Sequence, residues 1–319
     1  MVEELGDGFT HLAVGQRVAV PWLGWACGRC EHFLSGWETL CEQQVNTGYG
    51  VDGGYAERML AHPGFAQPVP DDIDPREAAP LTCAGVTTCK ALKVVGIGPA
   101  DLVAISDIGG LGHLAVRYAK IAGAAVAAID VSEGELRLAA GVGADILIDA
   151  RKEEPAAVLQ RHGGAHASSP GGERGDLRDS ARLPAPWRQA GHGRPSHGRE
   201  VLIFFTVLGG TSVIGSIVGT CQDLAEVLYL HAAGRTRVIC ETRPLSFVNE
   251  CIDDVPKSHV KARALSSICE AAVRISRAAL SPARATPRRG QPGSSFDSPG
   301  AKTRRSPWAA GKNLANDWR

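Results

Sequence analysis

Apolar positions along this chain alternate between two patterns. From Leu102 to Ser106 they run almost without a break, and after the turn they recur at helical spacing, at Leu111, Leu114, Ala115, Tyr118 and Ala119. A second run, Ala124 to Ile129, ends in Asp130. Gly109, Gly110 and Gly112 stand between the first run and the helix. A buried strand, a glycine turn, an amphipathic helix and a second buried strand predict a βαβ unit of a parallel sheet. In the dinucleotide fingerprint the glycines allow a tight turn, close approach of backbone to pyrophosphate and close helix packing, and an acid about 20 residues on accepts the ribose hydroxyls. Asp130 takes that last place and favours NAD over NADP. The first glycine position is held by Asp107, whose carboxylate repels a pyrophosphate if it faces it.

On either side of this unit the pattern is less regular. Val2 to Pro21 holds short β-rich runs broken by Gly and Asp, ending in Arg17 to Val20, and predicts part of a β-barrel-like domain. Between Arg161 and Glu200 there is no Val, Ile, Phe or Met, so buried parallel strands are not expected there. At Val201 the apolar pattern returns as VLIFFTVLGGTSVIGSIVGT, followed by a helix from about Asp223 to Ala233 and the stretch VICETRPLSFVNECIDD. Pro282 to Arg319 has the Pro, Arg, Ser and Gly composition of a disordered tail. The sharp edges of the two anomalous stretches suggest out-of-frame translation of a G+C-rich gene, which the genomic DNA would decide.

Composition narrows the function classes. The 319 residues suffice for two domains, and 34 basic residues balance 34 acidic ones, so no overall field recruits nucleic acid or a membrane. From Leu265 onward there are ten Lys and Arg against three acids, which leaves the preceding chain with a net charge of −7. No basic, apolar leader opens the sequence, and no apolar run approaches the roughly 18 residues of a membrane span. Nine cysteines are an odd number and partly clustered, which suits a reducing cytoplasm rather than a disulfide framework.

Cys27, Cys30 and Cys41 form the cluster. Two thiolates two residues apart can bind one metal from a tight turn, and a later cysteine closes the loop, so a structural zinc is one reading and three free or buried thiols the other. Together with the basic tail these thiols also raise a nucleic-acid-binding zinc protein, for which paired ligand sets and stacking motifs are missing.

The stretches VGQRVAVPWLGWACGRC, GWETLC, NTGY, VDGGYAE, EAAPLTCAGVTTCKAL, ISDIGGLGHLAVRYAK, VAAIDVSEGEL, GAD and VIGSIVGT, taken in this order, resemble the zinc-containing alcohol dehydrogenases of the medium-chain dehydrogenase/reductase superfamily, in particular the tetrameric bacterial and yeast type. The resemblance covers most of Val2 to Gln160 and Glu200 to about Arg263. It implies an α/β chain with a doubly wound Rossmann sheet, here incomplete, and a partial GroES-like β-barrel catalytic domain. The implied division is 1–83 catalytic domain with the zinc lobe, 84–233 NAD-binding domain with 161–200 irregular, 234–264 the return into the catalytic domain, and 265–319 a basic, disordered tail.

The resemblance implies NAD and zinc as cofactors, a small alcohol or aldehyde as substrate, neither nucleic acid nor membrane as partner, a homo-oligomer and a cytoplasmic location. The zinc lobe of the family has four cysteines, the third of which falls at Phe33, beside His32. Cys83 matches one ligand of the catalytic zinc and is the one catalytic candidate; a cysteine and a histidine that complete the set in relatives have no counterpart in this sequence. Cys83 alone also reads as a buried thiol. Thr87, with Gly85 and Val86, matches positions near the cofactor phosphates, or else Thr87 caps a helix. Gly109, Gly110, Leu111, Gly112 and Asp130 are the remaining cofactor residues. Trp22 matches a substrate-pocket aromatic, a core tryptophan being the alternative, and His113 reads as a helix-face residue rather than a base. Two functions from different classes follow: an NAD-dependent dehydrogenase oxidising primary alcohols, and a catalytically impaired remnant that binds nucleotide or partner subunits at most.

Overall fold

The computed structural model describes residues 1–6, 9–164, 166–169, 188–192, 211–254, 264–267 and 272–275. Its first part holds strands β1 (Val2–Leu5), β2 (Val18–Ala19) and β3 (Leu23–Trp25), the short helix α1 (Glu31–Leu34), and strands β4 (Val45–Asn46), β5 (Arg58–Ala61) and β6 (Gln67–Pro68). β2 pairs antiparallel with β6 and β3 with β4, so the predicted β-rich segment is built from short two-stranded pieces around a small core of Leu23, Ala26, Cys41 and Phe65. Helix α2 (Pro75–Pro80) starts at Asp74, whose side chain accepts from the Arg76 amide, and a wide π-helical turn (Leu81–Gly85) carries it into helix α3 (Val86–Val95).

The second part alternates strand and helix: β7 (Leu102–Ser106), α4 (Gly112–Ile121), β8 (Ala125–Asp130), α5 (Glu133–Gly141), β9 (Ile146–Asp149), α6 (Pro155–Arg161), then β10 (His166–Ser169), β11 (Arg188–His192), β12 (Thr211–Gly215) and α7 (Cys221–Ala232). The strands form one six-stranded sheet in the order β12-β11-β10-β7-β8-β9, all parallel. Chain order runs outward from β7 to β9 and then crosses to the other side of β7, which places a topological switch point between β7 and β10. Val103, Ala104 and Ile105 of β7 and Val126, Ala127 and Ala128 of β8 are fully buried, as strands covered on both faces must be. On α4 the predicted face is found: Leu114, Ala115, Tyr118 and Ala119 are buried, and Leu111 packs at its edge.

Two expectations are corrected here. β10 and β11 lie within 161–200, where no buried parallel strands were expected, and Ala167 pairs with Ala104 of β7 and with Ala190 of β11. A ladder is made by backbone N–H and C=O groups, which HASS and RQAGH possess as fully as a valine-rich run does. Flanked by β7 and β12, they complete the sheet that the sequence left incomplete. Likewise β13 (Glu241–Pro244) pairs with β14 (Ala264–Ser267), and β15 (Ala272–Ile275) lies between β1 and β5, so 265–319 is not tail throughout. Helix α8 (Val248–Asp254) follows β13. Pro282 to Arg319 and most of 161–200 lie outside the described residues. Among the described residues no helix is long and apolar enough to cross a membrane.

α3 and α7 are locked together by charge. Asp223, 2% exposed, accepts from Lys93 Nζ at 2.6 Å and closes a capping box with Thr220 at the head of α7, while Lys90 Nζ approaches at 3.3 Å. Burial works against the Asp223 carboxylate, but hydrogen bonds from Lys93 and Thr220 outweigh it and hold its pKa below the ordinary carboxylate value. A depressed acid contributes stability that is present above its unfolded pKa of about 3.9 and lost as pH falls through the folded value. Asp223→Asn is therefore expected to destabilise the chain by about 2 kcal/mol at pH 7, discounted from a fully buried pair because Lys93 is half-exposed. Urea unfolding of both proteins should show the gap closing below about pH 4; a gap independent of pH would mean the loss is packing alone.

Candidate functional site

The glycine turn follows β7 at the switch point, where open parallel sheets leave a crevice at their carboxyl ends. Asp107 opens the turn with φ +66°, left-handed backbone that L residues other than Asn and Asp rarely adopt. The position therefore has the conformation of a first glycine, with a carboxylate added. A Cβ on Gly112 would lie 2.1 Å from the Asp107 carbonyl oxygen, so only glycine fits where α4 crosses the turn. No side chain caps α4, whose N-terminal residue in the turn is Leu111.

Asp130 ends β8 beside this turn. Its carboxylate accepts from the Ile108 amide at 2.9 Å and from the Ser132 amide at 2.7 Å. Those bonds fix it at the rim with lone pairs to spare, as a ribose-binding acid requires. Gly109, Gly110, Leu111 and Gly112 are thus brought together with Asp130, and the missing Cβ of Gly112 lets α4 close directly onto the Asp107 carbonyl.

Sequence reasoning undervalued His113. It is wholly buried; Nε2 accepts from the Ile239 amide at 3.4 Å, so Nδ1 carries the proton and donates to the Gly109 carbonyl at 2.9 Å. It ties the glycine turn to the strand-free stretch before β13. A polar residue on an otherwise apolar helix face was the available signal.

Thr87 lies in the first turn of α3, half-buried, and does not cap it, since that helix continues from the π-helical turn without a side-chain cap. Cys83 is half-buried in the π-helical turn. Among the described residues it joins no group of three or more metal-ligating side chains, so a catalytic zinc does not fit around it. Trp22 is half-buried and stands beside the exposed Tyr49, with ring centroids 6.5 Å apart.

The sulfurs of Cys27, Cys30 and Cys41 do come together, all within 4.8 Å of one another. Each accepts a backbone N–H: Cys27 Sγ from Cys30 at 3.3 Å, Cys30 Sγ from Phe33 at 3.4 Å and Cys41 Sγ from Cys27 at 3.5 Å. The amide of Arg29 leads the contacts that lower the Cys27 thiol to about 7, while for Cys30 the Phe33 amide is outweighed by burial and the neighbouring sulfurs, and the thiol is raised. A three-sulfur metal centre fits this donor set. His32 is exposed and outside the cluster. The loop between Cys30 and Cys41 also grips the sheet's helices: Glu38 Oε1 accepts from the Cys221 amide at the head of α7 at 2.5 Å, and the Trp37 ring lies 4.6 Å from Lys90 Nζ on α3.

Comparison with known proteins bears on both regions. Residues 1–71 match the family profile described as an alcohol dehydrogenase GroES-like domain, and residues 110–233 match that of a zinc-binding dehydrogenase. An alcohol dehydrogenase of Geobacillus stearothermophilus is 44% identical over 273 residues, 84% of this chain and 80% of the relative. Among solved structures, the alcohol dehydrogenase of Aeropyrum pernix superposes with a TM-score of 0.74 at 29% identity, over 83% of this chain and 80% of that one. The acetophenone reductase of Geotrichum candidum, solved with NAD, gives 0.69 at 26% identity, over 78% and 73%.

Proposed function

Because the chain belongs to the zinc-containing alcohol dehydrogenases of the medium-chain dehydrogenase/reductase superfamily, we propose that Gly109, Gly110, Leu111 and Gly112 seat the pyrophosphate of NAD and that Asp130 accepts its ribose hydroxyls. The chain is an alcohol dehydrogenase, with alcohols and their carbonyl products as its substrate class and NAD and zinc as its cofactors. The impaired-remnant alternative finds no support in these comparisons. The observation that carries the site assignment is the turn after β7, where Asp107 adopts a glycine's backbone and Gly112 a position no Cβ can share. His113 holds that turn from below, Thr87 flanks the phosphates, and Trp22 faces the substrate. The substrates are short primary alcohols, oxidised to aldehydes. The GroES-like part spans 1–83 and 234–264, the nucleotide part 84–233, and the protein works in the cytoplasm as a homo-oligomer.

Zinc belongs at Cys27, Cys30 and Cys41, where it would close the lobe and supply structural bonds. Cys83 is without the partners a catalytic zinc requires, so alcohol ionisation has no metal centre among the described residues. The expected result is that the purified chain binds NAD by calorimetry and reduces it with short primary alcohols, with kcat at least about a hundredfold below that of the Geobacillus stearothermophilus relative. Failure to bind NAD would overturn the nucleotide site. NAD binding without reduction by any alcohol would overturn the catalytic assignment and leave the nucleotide site standing.

A further inference from the structure

The cysteine lobe has a feature that the zinc reading leaves unused. Three sulfurs face one another within 4.8 Å, and among the described residues no histidine, carboxylate or fourth cysteine joins them. A tetrahedral zinc with bonds of about 2.3 Å sets its sulfurs roughly 3.8 Å apart. Three thiolates can therefore close on one ion with little movement, while among the described residues the fourth corner has no protein donor. Phe33 lies on α1 three positions after Cys30; its amide donates to Cys30 Sγ, and its half-buried side chain packs on the lobe's core with Cys27 and Cys30. The phenyl ring offers carbon alone.

Two further observations bear on what fills the corner. Each of the three sulfurs accepts one amide, which spreads thiolate charge into the backbone and suits the lobe to an electron-rich, all-sulfur shell. The cluster also lies near the surface: Cys27 and Cys30 are half-buried, and Gly28, Arg29, Glu31 and His32 beside them are exposed.

We propose that the lobe holds zinc with an open fourth position, and that this position takes up a small soluble thiol as its thiolate. Zinc with three protein ligands and one free position is the arrangement that exchanges external ligands, whereas a closed four-ligand site is inert. Uptake forms one sulfur–metal bond, releases one solvent molecule and passes the thiol proton to the buffer, and no electrons change hands. The inference rests on the metal reading of the cluster given above.

The test uses the reduced, metal-stripped full chain and cobalt(II), whose visible bands report the number and kind of its ligands. Cobalt should bind at one per chain and be lost in Cys27→Ser. Adding 2-mercaptoethanol should shift and intensify the bands and tighten cobalt binding by about tenfold or more. Phe33→Cys should bind about tenfold more tightly without added thiol and give bands that the thiol does not alter. Cobalt bands in the parent chain that ignore the thiol overturn the open position and leave the metal site intact. Failure of the parent chain to bind cobalt, with or without thiol, overturns the metal reading itself, whether or not Phe33→Cys binds.

Discussion

Gly112→Ala is expected to destabilise the chain by about 3 kcal/mol or more and to remove NAD binding altogether. The added Cβ would stand 2.1 Å from the Asp107 carbonyl oxygen and 2.9 Å from its carbonyl carbon. Both are backbone atoms, so no rotamer change relieves the overlap; α4 and the turn must separate. That separation would draw α4 away from β7 and β8, against which Leu114, Ala115 and Ala119 are sealed. Gly109→Ala is the internal control, because its new Cβ meets Asp107 Oδ1 at an ordinary 3.7 Å. Urea unfolding and calorimetry with NAD should show the first variant crippled and the second close to the parent in stability. A Gly112→Ala protein of parental stability that binds NAD would show that the turn does not hold the cofactor in this geometry.

Asp107→Gly should work in the opposite direction and tighten NAD binding by between tenfold and a hundredfold. The carboxylate stands at the opening of the glycine turn, exposed, on backbone of φ +66°. A unit charge about 5 Å from one phosphate charge is repelled by roughly 3 kcal/mol at an effective dielectric of about 20, an upper bound that salt reduces. Relief of left-handed backbone strain contributes up to about 1 kcal/mol to folding, offset in part by the freer unfolded chain. Asp107→Asn separates the two effects, since it removes the charge and keeps the strained backbone. Most of the gain should appear in Asn, and the difference between Asn and Asp should shrink as salt is raised. Equal affinities for all three proteins would show that the side chain turns away from the phosphates.

What the sequence reveals and what it hides have a common physical basis. The β7–α4–β8 unit was legible because strands buried on both faces must be continuously apolar and the Gly112 position between them admits no Cβ. Cys27, Cys30 and Cys41 were legible from spacing, because a metal knuckle is local along the chain. β10 and β11 were not, since the backbone makes the ladder and side-chain patterning only reports burial. β15, which joins β1 and β5 from more than two hundred residues away, leaves no local mark either. The Lys90–Lys93–Asp223 lock was invisible for the same reason. Its charges look like solvated helix residues until α3 and α7 are packed, and only then does Asp223 become a buried anion with two cations.

The grip of Trp37 on Lys90 and of Glu38 on the Cys221 amide gives the cysteine loop a second role. These two residues lie between Cys30 and Cys41, so whatever draws the sulfurs together also stiffens the segment that holds the first turn of α7. Coupling of this kind is reciprocal: if an ordered α7 favours the closed loop by some factor, the closed loop favours an ordered α7 by the same factor. The lobe is then a strut rather than an ornament, and its occupancy can be read at a distance. Amide hydrogen exchange at Cys221 to Leu224 should slow when metal is added, in step with the affinity of the loop for it, although no residue of α7 belongs to the three-sulfur group.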